Sequence, residues 1–391
     1  EGTVDGAGDL VRISVKLTDT RARSYVWADT RESPVTNVDT LERGFVRDIV
    51  SKLRIPLPPG GGDMAPRIRP ASREAYSAFL KAQYYWNLRT PGSPEKAIEL
   101  LEQSVSLDAS YAPAWAWLAI CYQLTTFQGG KDEAARLAKG RQAVAKAMEL
   151  APQLAESQAA AGVYAAAAWD WKRAGEHFER AIQRNPTWAH GHTLYAILFL
   201  SPTGQTREAV RQMLRAQELD PVTEFTRTML AEALYYNLEY DRAMSEIEDL
   251  YRTGDSAFPV SRIYLLALCL SGKPGEALRE LNSRGKTNGE DPFSLGLRGY
   301  FLARGGQAAE ARSARQTLLA QSSSDPGILL LAALVSVGLG DTASALASLE
   351  QLQGTRPNLL IIAVMDPTFA PLRNLPGYQK LLRSMNLPYS H

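Results

Sequence analysis

A small side chain returns every 34 residues through the second half of this chain. Ala209, Ala243, Ala277, Ala311 and Ala345 are each 34 positions apart, and Pro152, Pro186 and Pro221 follow one another at 34 and 35. A period held over four successive intervals leaves few architectures open. A single globular core has no reason to repeat. A linear array of like units does, because each unit stacks on its neighbour in the same way. The 391 residues therefore need not divide into the roughly two or three globular domains that length alone suggests.

The residues inside one period are specific. Between Pro152 and Pro186 stand Gly162, Ala174, Phe178 and Ala181, an order that resembles the back half of the tetratricopeptide repeat. Trp115, Leu118, Ala119 and Tyr122 resemble its front half, Trp-x-x-Leu-Gly-x-x-Tyr, and Ala97 marks an earlier copy. The resemblance implies pairs of antiparallel helices stacked into a mainly α, right-handed α-solenoid. Small residues such as Gly162 and Ala174 let the two helices approach. Phe178 and Trp115 fill the space between neighbouring pairs, and Pro186 stops the second helix. About eight pairs fit between Ser72 and Gln353. An insertion near Gln128-Gly129-Gly130-Lys131 disturbs the second copy. In the seventh, Arg315 stands where Phe178, Ile247 and Leu281 stand in others, which predicts a looser or frayed copy.

The ends break the period. Val11, Ile13, Val15 and Leu17 alternate with polar residues, as in a half-buried strand. Thr3–Val4 and the turn Asp5-Gly6-Ala7-Gly8 predict a hairpin with it, and Tyr25–Ala28 predicts a third strand. A helix is expected from Thr40 to Leu53. The expected organisation is a partial α/β element over 1–57, a Pro/Gly linker over 58–71, the solenoid over 72–356 and a capping segment over 357–391. Three strands and one helix make a small core, and the first strand lacks an outer neighbour. Thr3, Val4, Val11, Ile13 and Val15 are candidates for assembly through a strand edge. The chain opens on Glu1 without a signal-peptide pattern, which reads as a processed product or fragment.

A second resemblance spans most of the chain. Glu1–Val4, Val11–Leu17 and Val26-Trp27-Ala28 are similar to the second half of the TolB amino-terminal-like αβ domain. Tyr84-Tyr85-Trp86-Asn87, Lys96–Glu99, Trp169-Asp170-Trp171 and Met365–Phe369 resemble the repeats that follow it in a bacterial regulator family. In that family the arrangement sits behind a winged-helix, kinase or nucleotidyl cyclase domain, often with a membrane span between. The resemblance implies the sensory or interaction half of a signalling protein, and favours an extracytoplasmic site over a cytoplasmic one. Direct membrane insertion is not expected, since no apolar run reaches the ~18 residues of a span.

Little points to catalysis. His190 and His192 are two apart on an expected helix and face different ways. Gly60-Gly61-Gly62 follows prolines and lacks a Gly-Lys-Ser/Thr sequel, so it is no phosphate loop. Cys121 and Cys269 sit in apolar stretches as buried thiols. Neither a cofactor nor a metal is expected.

Binding is the remaining class. In the concave face of such an array the candidates are Trp117, Ile120, Gln123, Val163, Trp169, Trp171, Thr193, Ile197, Phe225, Tyr235, Arg262 and Tyr300. They are mostly apolar, which suits a peptide or protein partner laid in a groove. Trp117, Trp169 and Trp171 depart from the repeat pattern and are the more open to recognition. One alternative is an assembly subunit joining through its sheet edge and array ends into an oligomer or filament. Another is single-stranded nucleic acid bound by arginines and aromatics. The 43 basic residues against 42 acidic, net +1, weigh against the latter.

Overall fold

The computed structural model describes residues 2–7, 10–19, 24–34, 38–53, 70–88, 90, 92–126, 133–253, 258–284, 291–322, 325–355 and 357–387. The insertion around Gln128–Lys131, most of the linker and His391 lie outside them. The chain forms two compact units, Glu1–Arg69 and Pro70–His391.

The first unit is a three-stranded antiparallel sheet with one helix. Its strands are β1 (Gly2–Ala7), β2 (Leu10–Asp19) and β3 (Ser24–Pro34), in the order β1-β2-β3, followed by α1 (Val38–Leu53). Asp5, Gly6 and Ala7, expected as a turn, continue β1 instead, paired with Arg12, Val11 and Leu10. The Asp-Gly dipeptide favours a turn locally, but ladder pairing with Arg12 and Val11 overrides it. Because β2 is central, Val11, Ile13 and Val15 have ladder partners on both sides, and only Thr3 and Val4 of the five edge candidates lie on an outer strand. The side chains opposite each other at Ile13/Arg31 and Leu17/Trp27 share one face of the sheet. On that face Trp27 meets Phe45 of α1 edge-on at 6.1 Å, and the Arg31 guanidinium lies 4.7 Å from the Phe45 ring centre. Arg31 also pairs with Asp29 and Asp48.

The second unit is a tetratricopeptide-type solenoid of eight helix pairs. They are α2 (Arg73–Leu88) with α3 (Ser93–Leu107), α4 (Ala112–Thr125) with α5 (Glu133–Leu150), and α6 (Ala155–Ala167) with α7 (Trp171–Arg184). Next come α8 (Ala189–Tyr195, prolonged by a π-helical turn over Ala196–Leu200) with α9 (Thr206–Leu219), and α10 (Glu224–Tyr236) with α11 (Tyr240–Arg252). The last are α12 (Phe258–Leu270) with α13 (Pro274–Arg284), α14 (Pro292–Arg304) with α15 (Ala308–Gln321), and α16 (Pro326–Gly338) with α17 (Thr342–Thr355). The period is built on backbone approach: Ala97, Ala174, Ala209, Ala243, Ala277, Ala311 and Ala345 are all fully buried. A Cβ on Gly162 would stand 3.2 Å from the Phe178 ring.

The turns inside the third to eighth pairs are also alike. Trp169, Gly204, Leu238, Gly272, Gly306 and Gly340 all take positive φ, between 59° and 87°. The following N–H then reaches back to the helix, as in Asp170 to the Ala165 carbonyl and Glu239 to Leu234, both 2.9 Å. This left-handed C-cap satisfies the last carbonyls and reverses the chain.

Within a pair the two helices differ. The first helix of several pairs is buried nearly all round, as in α4, where Ala112–Ala114, Ala116–Gln123 and Thr125 are buried. The second is amphipathic; α7 buries only Trp171, Ala174, Gly175, Phe178 and Ala181. The first helices therefore form an inner layer and the second ones an outer layer. The seventh copy is not loosened by Arg315. Its guanidinium donates to Asp341 at 2.8 Å and to Ser336 Oγ at 2.9 Å, tying α15 to the next pair, while Leu318 fills the core.

The C-terminal segment does more than close the end of the array. It comprises α18 (Pro357–Met365), a 3-10 turn over Pro367–Leu372 and α19 (Pro376–Ser384). It packs on α16 and α17. Leu360, Ala363, Phe369, Leu372, Tyr378, Leu381, Leu382, Met385 and Leu387 are all buried. The same segment also touches pairs far back along the chain.

Candidate functional site

The longest-range contacts of the solenoid converge on two points of that segment. The first is Asp366. Its carboxylate caps the 3-10 turn, accepting from Thr368 N at 3.0 Å and Thr368 Oγ1 at 2.8 Å. It also accepts from the Tyr235 hydroxyl of α10 at 2.7 Å and from Arg262 of α12 at 3.3 Å. Arg262 pairs on its other side with Glu232 of α10, which in turn accepts from Tyr236 at 2.9 Å. Burial works against the Arg262 charge, but Tyr236, Glu232 and Asp366 more than offset it, and its pKa rises above the usual value. Burial, and then the Asp366 charge, push the Tyr235 hydroxyl well above the usual phenol range.

The second point is the last turn. Trp171 Nε1 donates to the Met385 carbonyl at 2.7 Å, and Asn386 Nδ2 donates to the Trp169 carbonyl at 3.4 Å. Trp171 opens α7, in the third pair, 214 positions before Met385. The segment therefore runs from the eighth pair past the fifth and sixth to the third.

The candidate groove residues fall into three groups. Trp169, Trp171, Tyr235 and Arg262 are the partners of this segment. Trp117 and Phe225 flank His190 of α8, with ring centres 4.9 Å and 5.5 Å away, in a row joining three inner helices. Tyr300 of α14 lies near enough to feel the Asp366 charge, while Ile120, Gln123, Val163, Thr193 and Ile197 join neither. Eight side chains of the set are buried: Trp117, Ile120, Gln123, Val163, Trp171, Thr193, Tyr235 and Tyr300. Gln123 instead makes a 3.4 Å bond to Thr126, and Thr193 bonds back to the Ala189 carbonyl. Sequence reasoning passed over Glu232 and took Asp366 only as part of a resemblance. An Asp-Pro dipeptide just after an apolar helix is the usual sign of a capping carboxylate, and it was available at Asp366-Pro367.

Among the described residues no group of three His, Cys, Asp or Glu side chains is placed to hold a metal. His177 and His192 bond to Gln158 and Gln212. Burial pushes the Cys269 thiol up to about 12, far from a nucleophile's range. Many arginines are matched by nearby carboxylates, as in Arg215–Glu218, Arg227–Asp249 and Arg252–Glu248, at 2.6 to 3.0 Å. That pairing weakens a cationic stripe for a nucleic-acid backbone. No described helix is long and apolar enough to cross a membrane.

No protein-family model matches the chain. No curated protein matches it either. Solved structures do. Yeast Tom70 is 17% identical, with 90% of this chain and 78% of that one covered at a TM-score of 0.43. YrrB, described as a TPR protein with an unusual peptide-binding site, is 21% identical over 47% of this chain and 94% of its own, at 0.30. The P58(IPK) TPR domain is 14% identical over 90% and 96%, at 0.26. The repeat geometry itself defines the fold: this is a tetratricopeptide-type helical-repeat array, preceded in the sequence by a small antiparallel sheet.

Proposed function

We propose that the chain is a non-catalytic scaffold for a protein or peptide partner, the interaction half of a bacterial signalling protein. One observation supports this most. The two motifs that resemble bacterial regulators, Trp169-Asp170-Trp171 and Met365–Phe369, are places where the array and its C-terminal segment grip one another. The gripping groups are those that suit a peptide: an indole N–H on a main-chain carbonyl, and a phenol with a guanidinium on a carboxylate. The array thus already holds a ligand from its own chain.

The partner binds with that ligand in place. Releasing it would expose Leu360, Phe369, Leu372, Tyr378, Leu381, Leu382 and Met385. At about 1.5–3 kcal/mol for each large side chain, that costs roughly 10 kcal/mol or more, comparable to a whole domain's stability. Selection of random displayed peptides on the immobilised full chain tests the reading. A convergent peptide family binding one to one is expected. No convergence, together with nuclease-sensitive material absorbing at 260 nm on the purified chain, would sink it in favour of nucleic acid.

A further inference from the structure

The first helix of the array is apolar on two opposite faces. Ala75, Ala78, Phe79, Ala82 and Trp86 of α2 are buried against the following helices. Leu80, Tyr84 and Leu88 are exposed at 45%, 63% and 44%. At 3.6 residues per turn these three lie roughly 140°, 180° and 220° around the helix from Ala75. That is the solvent pole, where a single amphipathic helix would carry charge. In later pairs the corresponding place is filled, since α4 packs against α3 and α6 against α5. Among the described residues, α2 is preceded by no helix of the array.

We infer that this stripe is a dimerisation surface, and that its occupant is α2 of a second copy of the chain. This inference is independent of the scaffold reading. Three observations favour that occupant. The stripe reads the same in both directions: Leu, Tyr, Leu at spacings of four. A two-fold axis at Tyr84 sets Tyr84 on its own copy and Leu80 on Leu88, the self-complementarity that an isologous contact requires. Residues four apart also form the helix ridge that interdigitates with its like, crossing at about −50°.

Charge is compatible as well. About the same axis Lys81 comes opposite Asn87, so no like charges meet. Arg73 is eleven residues from Tyr84, about 16 Å along the helix and beyond the contact. Finally, among the side chains described between Pro259 and Leu387 no large apolar one is exposed. The far end of the array offers nothing for this stripe to stack on, so a closed pair is formed and not an open filament.

Sedimentation of the full chain over about 1 µM to 1 mM, the range of a small interface, tests this. The weight-average mass should double with concentration. Tyr84→Glu should hold it at one copy, with an unchanged melting curve at about 1 µM, where the parent is also single and Tyr84 is exposed. Under mild oxidation Tyr84→Cys should give a disulfide-linked pair, whereas Val222→Cys, at 84% exposure, should not. The native Cys121 and Cys269 are buried and do not interfere. Single-copy mass throughout, or doubling that survives Tyr84→Glu, overturns the inference. So does equal cross-linking at Val222→Cys.

Discussion

Replacing Arg262 with Met removes the cation from between two carboxylates. The side chains of Arg262, Glu232 and Asp366 are exposed by only 13%, 12% and 6%. Deleting one partner of a buried ion pair costs about 3–5 kcal/mol, because the charge left behind stays desolvated. Some relief is available here. Asp366 keeps Tyr235 and Thr368 as donors, and Glu232 keeps Tyr236. The lower end, about 3 kcal/mol, is therefore expected. The charge count gives a sharper contrast. With Asp366 the trio carries net −1; without it, Arg262 and Glu232 balance. Asp366→Asn keeps an acceptor oxygen for Tyr235 and Thr368 and should cost only about 1 kcal/mol. The combination Glu232→Gln, Arg262→Met, Asp366→Asn carries no charge and should recover most of the loss. Equilibrium urea unfolding of the four chains measures this. An Arg262→Met chain as stable as the parent would refute the reasoning, as would a triple variant no better than the single.

Three further outcomes are expected. Leu238 holds φ at 65° where four equivalent turns have glycine; Leu238→Gly should raise stability by about 0.5–1 kcal/mol, seen as a higher melting temperature. Asp341 is depressed to about 2, first by its hydrogen bond from Arg315. A depressed carboxylate stabilises above its unfolded value near 3.8 and loses that contribution as pH falls toward 2. Acid titration followed by circular dichroism should thus show a smaller loss between pH 4 and 2, by about one titrating group, in Asp341→Asn than in the parent. Trp171→Phe deletes the donor to the Met385 carbonyl and should cost about 1 kcal/mol, with faster amide exchange confined first to residues near 385.

The array was legible in the sequence because its spacing rule is local. An alanine at 209, 243 or 277 is small for the same reason each time, the approach of two backbones within one pair. The alternation at Val11–Leu17 was legible on the same ground. The clasp was not. Asp366 and Tyr235 are 131 positions apart, and no period relates a segment without repeats to the helices it lies on. Trp171 looked available for a partner because it departs from the repeat pattern. It departs because Met385 needs a donor there. Arg315 looked like a weakness for the mirror-image reason: its ion partner belongs to the next copy, and only the stacked structure brings Asp341 to it.

The clasp also changes how such an array comes apart. Open solenoids unravel pair by pair, since each pair answers only to its neighbours. Here a contact between Trp171 and Met385 closes a loop of more than two hundred residues. Closing a long loop adds little entropic cost over a short one, because that cost grows only with the logarithm of length. The third to eighth pairs thus become one cooperative block, and the second is joined to it through Trp117 and His190, while the first lies outside the ring. During synthesis the consequence runs the other way. Early pairs can form as they emerge, but the ring stays open until residues 366–386 have been made. The block that matters most for persistence is the last to be locked.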